Sequence, residues 1–199
     1  MEDLLKTSII KGFIFSSYGE LGPTPVYCFP DYYSEKELKE IDKELISKDS
    51  LILTFRDITQ ISIKNLSLFI SDKIITEEPD LQKIQYFAIL PYPDFNTTSL
   101  TYFHFIRTNS KQPIATAFSI LVEENHRSFL YSNINRIKPV IIDFFKNFDK
   151  KMRKHYPPRE NVEDDFYNLL SEELMKIEQR PSTPITTHRK MKILMAGLD

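Results

Sequence analysis

Histidine side chains are candidates for catalysis and metal binding, because they act as general acids, general bases and metal ligands near neutral pH. His104 lies in the apolar run 99–107, "SLTYFHFIR", and shares its side of an extended chain with Leu100, Tyr102 and Ile106. No second base or ligand lies at a useful spacing from it in the sequence. We therefore predict a buried histidine that is hydrogen-bonded within a sheet.

The remaining histidines and the acidic clusters are scattered along the chain. His126, His155 and His188 fall in a loop, a helix end and a linker, and the acids at 123–124 and 163–165 are typical of solvated helix starts. No H-E-x-x-H motif, nucleophile elbow or pair of cysteine ligands occurs. We predict that this chain is not an enzyme and has no catalytic residue, no metal site and no cofactor of its own.

The run "KNFDKKMRKH", residues 146–155, is densely basic. Cations in the last turn of a helix complement its dipole and need no ligand. The alternative is contact with an acidic partner or an anionic membrane, where each cation is worth up to about 1 kcal/mol. Few aromatic residues alternate with these cations, so nucleic acid is not an expected partner. The candidate contact residues are Lys146, Lys150, Lys151, Arg153 and Lys154.

Glycine positions limit the places where a phosphate could bind, because phosphate loops need glycines for close backbone approach. The four glycines are Gly12, Gly19, Gly22 and Gly197, so residues 23–196 contain no dinucleotide fingerprint and no P-loop. We interpret the first three as turn residues of a hairpin.

The last residues, "KILMAGLD" at 192–199, indicate a strand that runs into a tight turn, as at the start of a phosphate-binding loop. Gly197, Leu198 and Asp199 would open that loop. The lysine and the hydroxyl residue that complete it are not in the sequence. Nucleotide binding by these residues alone is therefore not predicted.

The composition is that of a globular protein. Hydrophobic residues make up 41% of the 199 residues, with 15 Phe and 10 Tyr, and the net charge is only -2. Cys28 is the single cysteine, which fits a reducing compartment. The N-terminus has no signal-peptide pattern, and no run reaches the roughly 18 apolar residues of a membrane span. We predict a cytoplasmic protein.

The first half of the chain predicts a hairpin, a helix and the start of a meander. Apolar runs at 8–16 and 24–29 flank a Gly-x-x-Gly-Pro turn, which is typical of a hairpin. A capping box at Ser34 opens an amphipathic helix over 34–48. Residues 51–80 are mixed, and they could continue this helix or form short strands. Three β-rich runs follow at 84–91, 99–107 and 114–122.

Two more helices are predicted after the meander. The first needs Pro139 in its first turn or at a kink, and the second opens at Asn161. Residues 179–191 have the composition of a linker. The apolar stripe of the first helix is Ile137, Val140, Ile141, Phe144, Phe145, Phe148 and Met152, and that of the second is Val162, Phe166, Leu169, Leu170, Leu174 and Ile177.

The order hairpin, helix, meander, helix, helix resembles the longin fold, most strongly in residues 9–29 and 84–122. The end, "KMKILMAGLD", is similar to the first strand and loop opening of Arf- and Rag-like GTPases. The resemblance is to the longin-type domains that precede a small GTPase domain in certain archaeal proteins. It implies an α+β, longin-like domain over 1–178 with a five-stranded antiparallel or mixed sheet, a linker over 179–191, and the start of a GTPase domain over 192–199.

The resemblance also implies a function. It predicts a non-catalytic regulatory or scaffolding domain that acts by protein–protein interaction in GTPase signalling or membrane trafficking. Its expected partners are a small GTPase domain in cis or in trans, a second copy of the chain, and the periphery of an anionic membrane; GTP and Mg²⁺ are expected only with a GTPase domain. The exposed side of the 34–48 helix and an uncovered sheet edge are the expected contact surfaces.

The alternative is a small-molecule sensor. A sheet covered by helices can enclose a pocket, and four aromatic residues are available to line it. A large apolar cavity would favour this alternative, whereas a sheet that packs solidly against the 137–152 helix would exclude it. The four residues are Tyr86, Phe87, Tyr102 and Phe118.

Overall fold

A five-stranded antiparallel sheet lies at the centre of the molecule. The structure is a computed structural model, and it describes residues 8–32, 34, 51–70, 84–106, 113–154 and 162–180. The strands lie in the order β2-β1-β5-β4-β3, and β1 pairs with β5 to join the hairpin to the meander. The predicted hairpin, meander and α+β class are confirmed. The strands are β1 (Ile10–Gly19), β2 (Gly22–Phe29), β3 (Gln85–Tyr92), β4 (Thr97–Ile106) and β5 (Ile114–Glu123).

Two glycines of the hairpin have different physical roles. Gly22 follows the two-residue turn at a φ of +94°, a conformation that favours glycine. Gly12 instead lies inside β1, where an added Cβ would be only 2.3 Å from the carbonyl oxygen of Phe29. The interpretation of Gly12 as a turn residue is therefore wrong. Glycine is required at this position because the backbone of β1 lies too close to the end of β2 for a side chain to fit.

The helices cover both faces of the sheet. Helix α1 (Phe55–Phe69) packs on one face, and α2 (Arg127–Lys154) packs on the other. Beside α2 lies the C-terminal helical segment, which we define as Val162–Gln179. This segment consists of α3 (Val162–Asn168), a π-helical turn (Leu169–Leu174) and α4 (Met175–Gln179).

Helix α1 accounts for most of residues 51–70, the described part of the region 51–80 whose sequence signal is mixed. The hydroxyl of Thr54 accepts a hydrogen bond from the Asp57 backbone N–H, and the Asp57 carboxylate accepts one from the Thr54 N–H. This capping box begins a separate helix that ends at Phe69. Of the helix predicted over 34–48, only Ser34 belongs to the described part of the chain, so that prediction lies outside it.

Helix α2 is longer than the sequence predicts. It begins at Arg127, so Pro139 lies well inside it instead of in its first turn. Because proline has no N–H, the carbonyl of Asn135 loses its usual partner within the helix. The predicted apolar stripe is confirmed: five of its residues are buried, and Val140 and Phe144 are half-buried.

The second predicted helix is also confirmed, as the C-terminal helical segment. Its first turn carries three acids, which suit the helix dipole, and its apolar stripe is buried from Phe166 to Ile177. Glu178 fastens its end to the sheet, accepting a hydrogen bond of 2.6 Å from the hydroxyl of Ser8 and another from the backbone N–H of Ile9. The predicted linker beyond Arg180 lies outside the described residues.

Candidate interaction site

His104 is buried on the α2 face of the sheet, as predicted, with only 1% of its surface exposed. Its Nδ1 lies 3.0 Å from the hydroxyl of Thr116 on β5, and its Nε2 lies 3.1 Å from a carboxylate oxygen of Asp149 on α2. The ring stacks on Tyr102 at a centroid distance of 4.7 Å. Both ring nitrogens therefore have partners, as a buried imidazole requires.

Asp149 lies beside His104 although the sequence shows no base at a useful spacing from this histidine. The two residues are 45 positions apart, and only the packing of α2 on the sheet brings them together. The sequence held one signal, because Asp149 interrupts the apolar stripe between Phe145 and Met152 at helical spacing. His104 and Thr116 are buried and Asp149 is 21% exposed, so the geometry is that of a structural hydrogen-bond chain with only its Asp149 end partly exposed.

The acids at helix starts are engaged in local contacts. The hydroxyl of Thr98 donates to Glu124, which holds the pKa of that carboxyl below its usual value, and Arg127 donates to it at 2.8 Å. Lys11 lies 4.0 Å from Glu123, which is the last residue of β5. The position of Glu124 fits the prediction of a helix-start charge, whereas Glu123 belongs to a strand.

The four aromatic residues of the sensor hypothesis do not line one pocket. Tyr86 stacks on Phe103 on the α1 face of the sheet, whereas the other three belong to the core on the α2 face. There, Tyr102 and Phe118 pack directly against Phe145 of α2, at ring distances of 5.4 and 5.3 Å. The sheet is thus packed solidly against α2 at this point, which is the arrangement expected to exclude the sensor.

The basic run lies at the end of α2, where Met152 is buried and the described cations are exposed. Lys146 lies 3.5 Å from Asp143, and Lys151 lies 2.6 Å from Asp165 of α3. Part of the positive charge is thus already paired with acids beside it. The contact predicted for these residues stays a prediction, and the side chain of Lys154 lies outside the described residues.

The two edges of the sheet differ in their capacity to bind another strand. Edge strand β2 contains Pro23 and Pro25, which have no N–H to donate, and its register against β1 shifts at Val26, which has no partner between the pairs Phe15–Tyr27 and Ser16–Pro25. Prolines and bulges at an edge hinder the addition of another strand. The β2 edge is therefore a poor docking surface.

The β3 edge is open over most of its length. Its residues 85–90 contain no proline, and no strand in the described part of the chain pairs with its outer side. Only its end is blocked, since Pro91 lacks a donor and Lys64 donates to the Pro91 carbonyl at 2.9 Å. Beside the open stretch lie two exposed apolar residues, Tyr86 (36% exposed) and Leu68 (54% exposed).

Two further observations concern metals and membranes. In the part of the chain that the structure describes, no three His, Cys, Asp or Glu side chains are grouped as metal ligands would be. None of the helices described there is both long and apolar enough to cross a membrane. The predicted loop opening at Gly197, Leu198 and Asp199 lies outside the described residues, so it stays a prediction.

Comparison with known proteins reveals a structural likeness. No protein-family model matches the chain, and no curated protein matches its sequence. Among solved structures, it is similar to the Lst4 longin domain of K. lactis, with 12% sequence identity and a TM-score of 0.48. The match covers 83% of this chain and 97% of that one.

Proposed function

We propose that this chain is a non-catalytic, longin-like regulatory or scaffolding domain that binds a small GTPase domain, in cis or in trans, through the open β3 edge. The observation that carries the proposal is the contrast between the two edges of the sheet. One edge is interrupted by prolines, whereas over residues 85–90 no strand among the described residues pairs with the outer side of the other edge.

The proposed binding mode is strand addition. In this mode, main-chain hydrogen bonds supply affinity and the side chains beside the edge supply specificity. Tyr86 and Leu68 supply apolar surface on one side of β3. On the other side, Lys138 lies 5.3 Å from the ring centroid of Phe87. A partner strand would therefore contact an apolar side and a basic side of the same edge.

The resemblance of the sequence to longin-type domains joined to small GTPases supports the choice of partner. Regulation of that partner requires different affinities for its two nucleotide states, since a ligand can shift an equilibrium only by its differential affinity. We propose that this regulation serves GTPase signalling or membrane trafficking in the cytoplasm. A second copy of the chain and an anionic membrane are further candidate partners.

Calorimetric titration of the full chain with small GTPases, loaded with GDP or with a non-hydrolysable GTP analogue, tests the proposal. We expect binding to at least one GTPase, with affinities for the two nucleotide states that differ by about tenfold, or about 1.4 kcal/mol. Equal affinity for both states would contradict a regulatory role. A complete lack of binding would remove the GTPase as partner.

A matched pair of substitutions at Gln85 tests the edge. Gln85→Pro places a proline at the exposed first residue of β3, where a strand tolerates it. Gln85→Ala, the matched control, removes the same side chain but keeps the backbone N–H. We expect the first variant to weaken GTPase binding about tenfold and the second to leave it unchanged, because only the proline removes a backbone donor from the edge. Equal effects would contradict docking at β3.

A further inference from the structure

An open groove lies between α2 and the C-terminal helical segment. It has a volume of about 480 Å³. Its apolar surface comes from Pro139, Val140 and Phe144 of α2 and from Leu169 of the π-helical turn. Val140 and Phe144 are the two residues of the α2 stripe that the core leaves half-buried. Leu169 is only 4% exposed, so the apolar surface available to an occupant lies mainly on the α2 wall of the groove.

The polar part of the groove is acidic. Its walls carry Asp143, Asp165, Glu172 and Glu173, and no cationic residue lines it. Three of these acids have a lysine within 4.0 Å, in exposed or partly exposed pairs that hold little energy. Glu172 forms no ion pair with a described residue. The groove therefore suits an occupant that combines apolar side chains with positive charge.

A segment of this chain has that chemistry. Residues 188–195 read "HRKMKILM", with three permanent cations and four large apolar residues. The C-terminal helical segment and Arg180 together contain six acids and two cations. The charges of the two regions are thus complementary, and the apolar residues of 191–195 match the apolar α2 wall of the groove.

The chain is long enough for this segment to reach the groove. The backbone of Arg180 is extended, at φ −80° and ψ 125°, and Pro181 cannot continue the helix. Glu172 lies eight residues before Arg180, or about 12 Å along a helix. Residues 181–187 span up to about 24 Å when extended. Residues 188–195 can therefore turn back and lie along the groove.

We propose that residues 188–195 dock in the groove between α2 and the C-terminal helical segment, with Lys190 and Lys192 facing its carboxylates. This inference goes beyond the proposed binding to a small GTPase and does not depend on it. Docking would cover the apolar residues 193–195, so that other partners could bind them only after the segment leaves the groove.

Hydrogen exchange of the full chain, followed by mass spectrometry, tests the docking. We expect backbone amides of 188–195 to exchange at least about tenfold more slowly than those of an unstructured peptide of the same sequence. The double substitution Glu172→Lys/Glu173→Lys should abolish this protection. Raising the salt to about 0.5 M should reduce it, because exposed charges are then screened.

Two further variants separate the groove from general charge effects. Glu163→Lys/Asp164→Lys changes two exposed acids of the same helical segment that do not line the groove, and it should leave the protection intact. Adding Lys190→Glu/Lys192→Glu to the groove double variant should restore the protection by exchanging the charges. Restoration is not expected if the groove substitutions only unfold the protein.

Three results would overturn the proposal. The first is exchange of 188–195 at the rate of the free peptide. The second is protection that the groove substitutions do not change, which would mean that the segment docks elsewhere. The third is protection that increases with protein concentration, which would mean that a neighbouring copy supplies the segment.

Discussion

The two faces of the sheet are held to their helices by different forces. On the α2 face, aromatic rings from the strands and the helices form one continuous cluster. Phe166 of α3 is at its centre, fully buried, with its ring 5.3 Å from Phe13 and 5.2 Å from Phe148. It also stacks on Tyr27 at an interplanar angle of 7°. Apolar burial and ring contacts therefore hold this face.

The α1 face has a seam of hydroxyl and amide groups along its middle. Asn65 of α1 donates to the hydroxyl of Ser119 at 2.9 Å and accepts a hydrogen bond from the hydroxyl of Tyr92. Ser62 lies 2.8 Å from Ser16, and Thr101 lies 2.9 Å from Ser119. Apolar clusters flank the seam on each side. Helix α1 is thus positioned by hydrogen bonds as well as by burial.

One sheet can thus hold two helical layers by different kinds of interaction. Apolar burial is non-directional and scales with area, so the aromatic face tolerates small shifts of its helices. Buried hydrogen bonds are directional, and a lost partner leaves an unsatisfied group, so the seam defines one position for α1. We expect the aromatic face to supply more stability and the seam to supply more specificity.

The largest expected effect comes from the aromatic face. Phe166→Ala should lower the free energy of unfolding by about 3–5 kcal/mol, because it opens a cavity at the centre of the ring cluster. Denaturant unfolding measures this change. Phe166→Leu, which keeps most of the buried volume, should cost clearly less. A loss below about 1 kcal/mol for the alanine variant would contradict the leading role of this face.

The seam should respond next most strongly. Asn65→Ala removes the amide that hydrogen-bonds to the hydroxyls of Ser119 and Tyr92. We expect it to lower the free energy of unfolding by about 1–3 kcal/mol. The same unfolding measurement, with Tyr92→Phe as the second substitution of a double-mutant cycle, isolates the coupling between the two residues. Purely additive effects would show that the seam is not a connected network.

The pH dependence of stability tests the burial of Tyr92 in the seam. Burial raises the pKa of Tyr92 to about 12, from 10.0 for an exposed tyrosine. The folded state therefore holds its proton more tightly, and the resulting stability is complete below pH 10 and is lost as the pH rises towards 12. Tyr92→Phe should cost about 1 kcal/mol at pH 7, through its lost hydrogen bond.

Above pH 10, the stability difference between the parent protein and Tyr92→Phe should shrink, since the variant has no proton to lose there. The other tyrosines with raised pKa values are present in both proteins and cancel in the comparison. A difference that stays constant up to pH 12 would mean that Tyr92 is not buried as described.

The smallest effect concerns the polar cluster within the aromatic face. Asp149→Ala should cost about 1 kcal/mol, because it leaves Nε2 of His104 without its carboxylate partner. Asp149→Asn should cost less, since an amide oxygen can still accept the hydrogen bond. Both changes are read from urea unfolding at pH 7. An equal loss in the two variants would indicate that charge, and not the hydrogen bond, is what matters.

Much of the fold was predictable, because alternation and helical spacing are local properties of the sequence. The strands from Ile10 to Phe29 and from Gln85 to Glu123 agree with their predicted runs within a few residues. Helix α1 was missed although its capping box, "TFRD", is visible in the sequence. The spacing of hydrophobic residues around it is also compatible with short strands or with a continuation of the preceding predicted helix, so the helix start could not be assigned from the pattern alone.

The candidate sites were less predictable. The basic run was recognisable as a run of like charges, but its pairing with Asp165 depends on how α3 packs beside α2. The open β3 edge could not be assigned from strand order along the chain, because either outer strand could have been the accessible one. The prolines of β2 become informative only once that strand is known to lie at an edge.

The sequence alone was enough to predict the α+β class, the order of the five strands, the two helical regions after the meander and the apolar stripes that form the aromatic core. These depend on side-chain polarity and its period along the chain. The contact of Asp149 with His104 and that of Asn65 with Ser119 depend on the tertiary structure. So does the groove between α2 and the C-terminal helical segment. Such pairings join residues far apart in sequence, and only the packing of complete helices and strands brings them within hydrogen-bond distance.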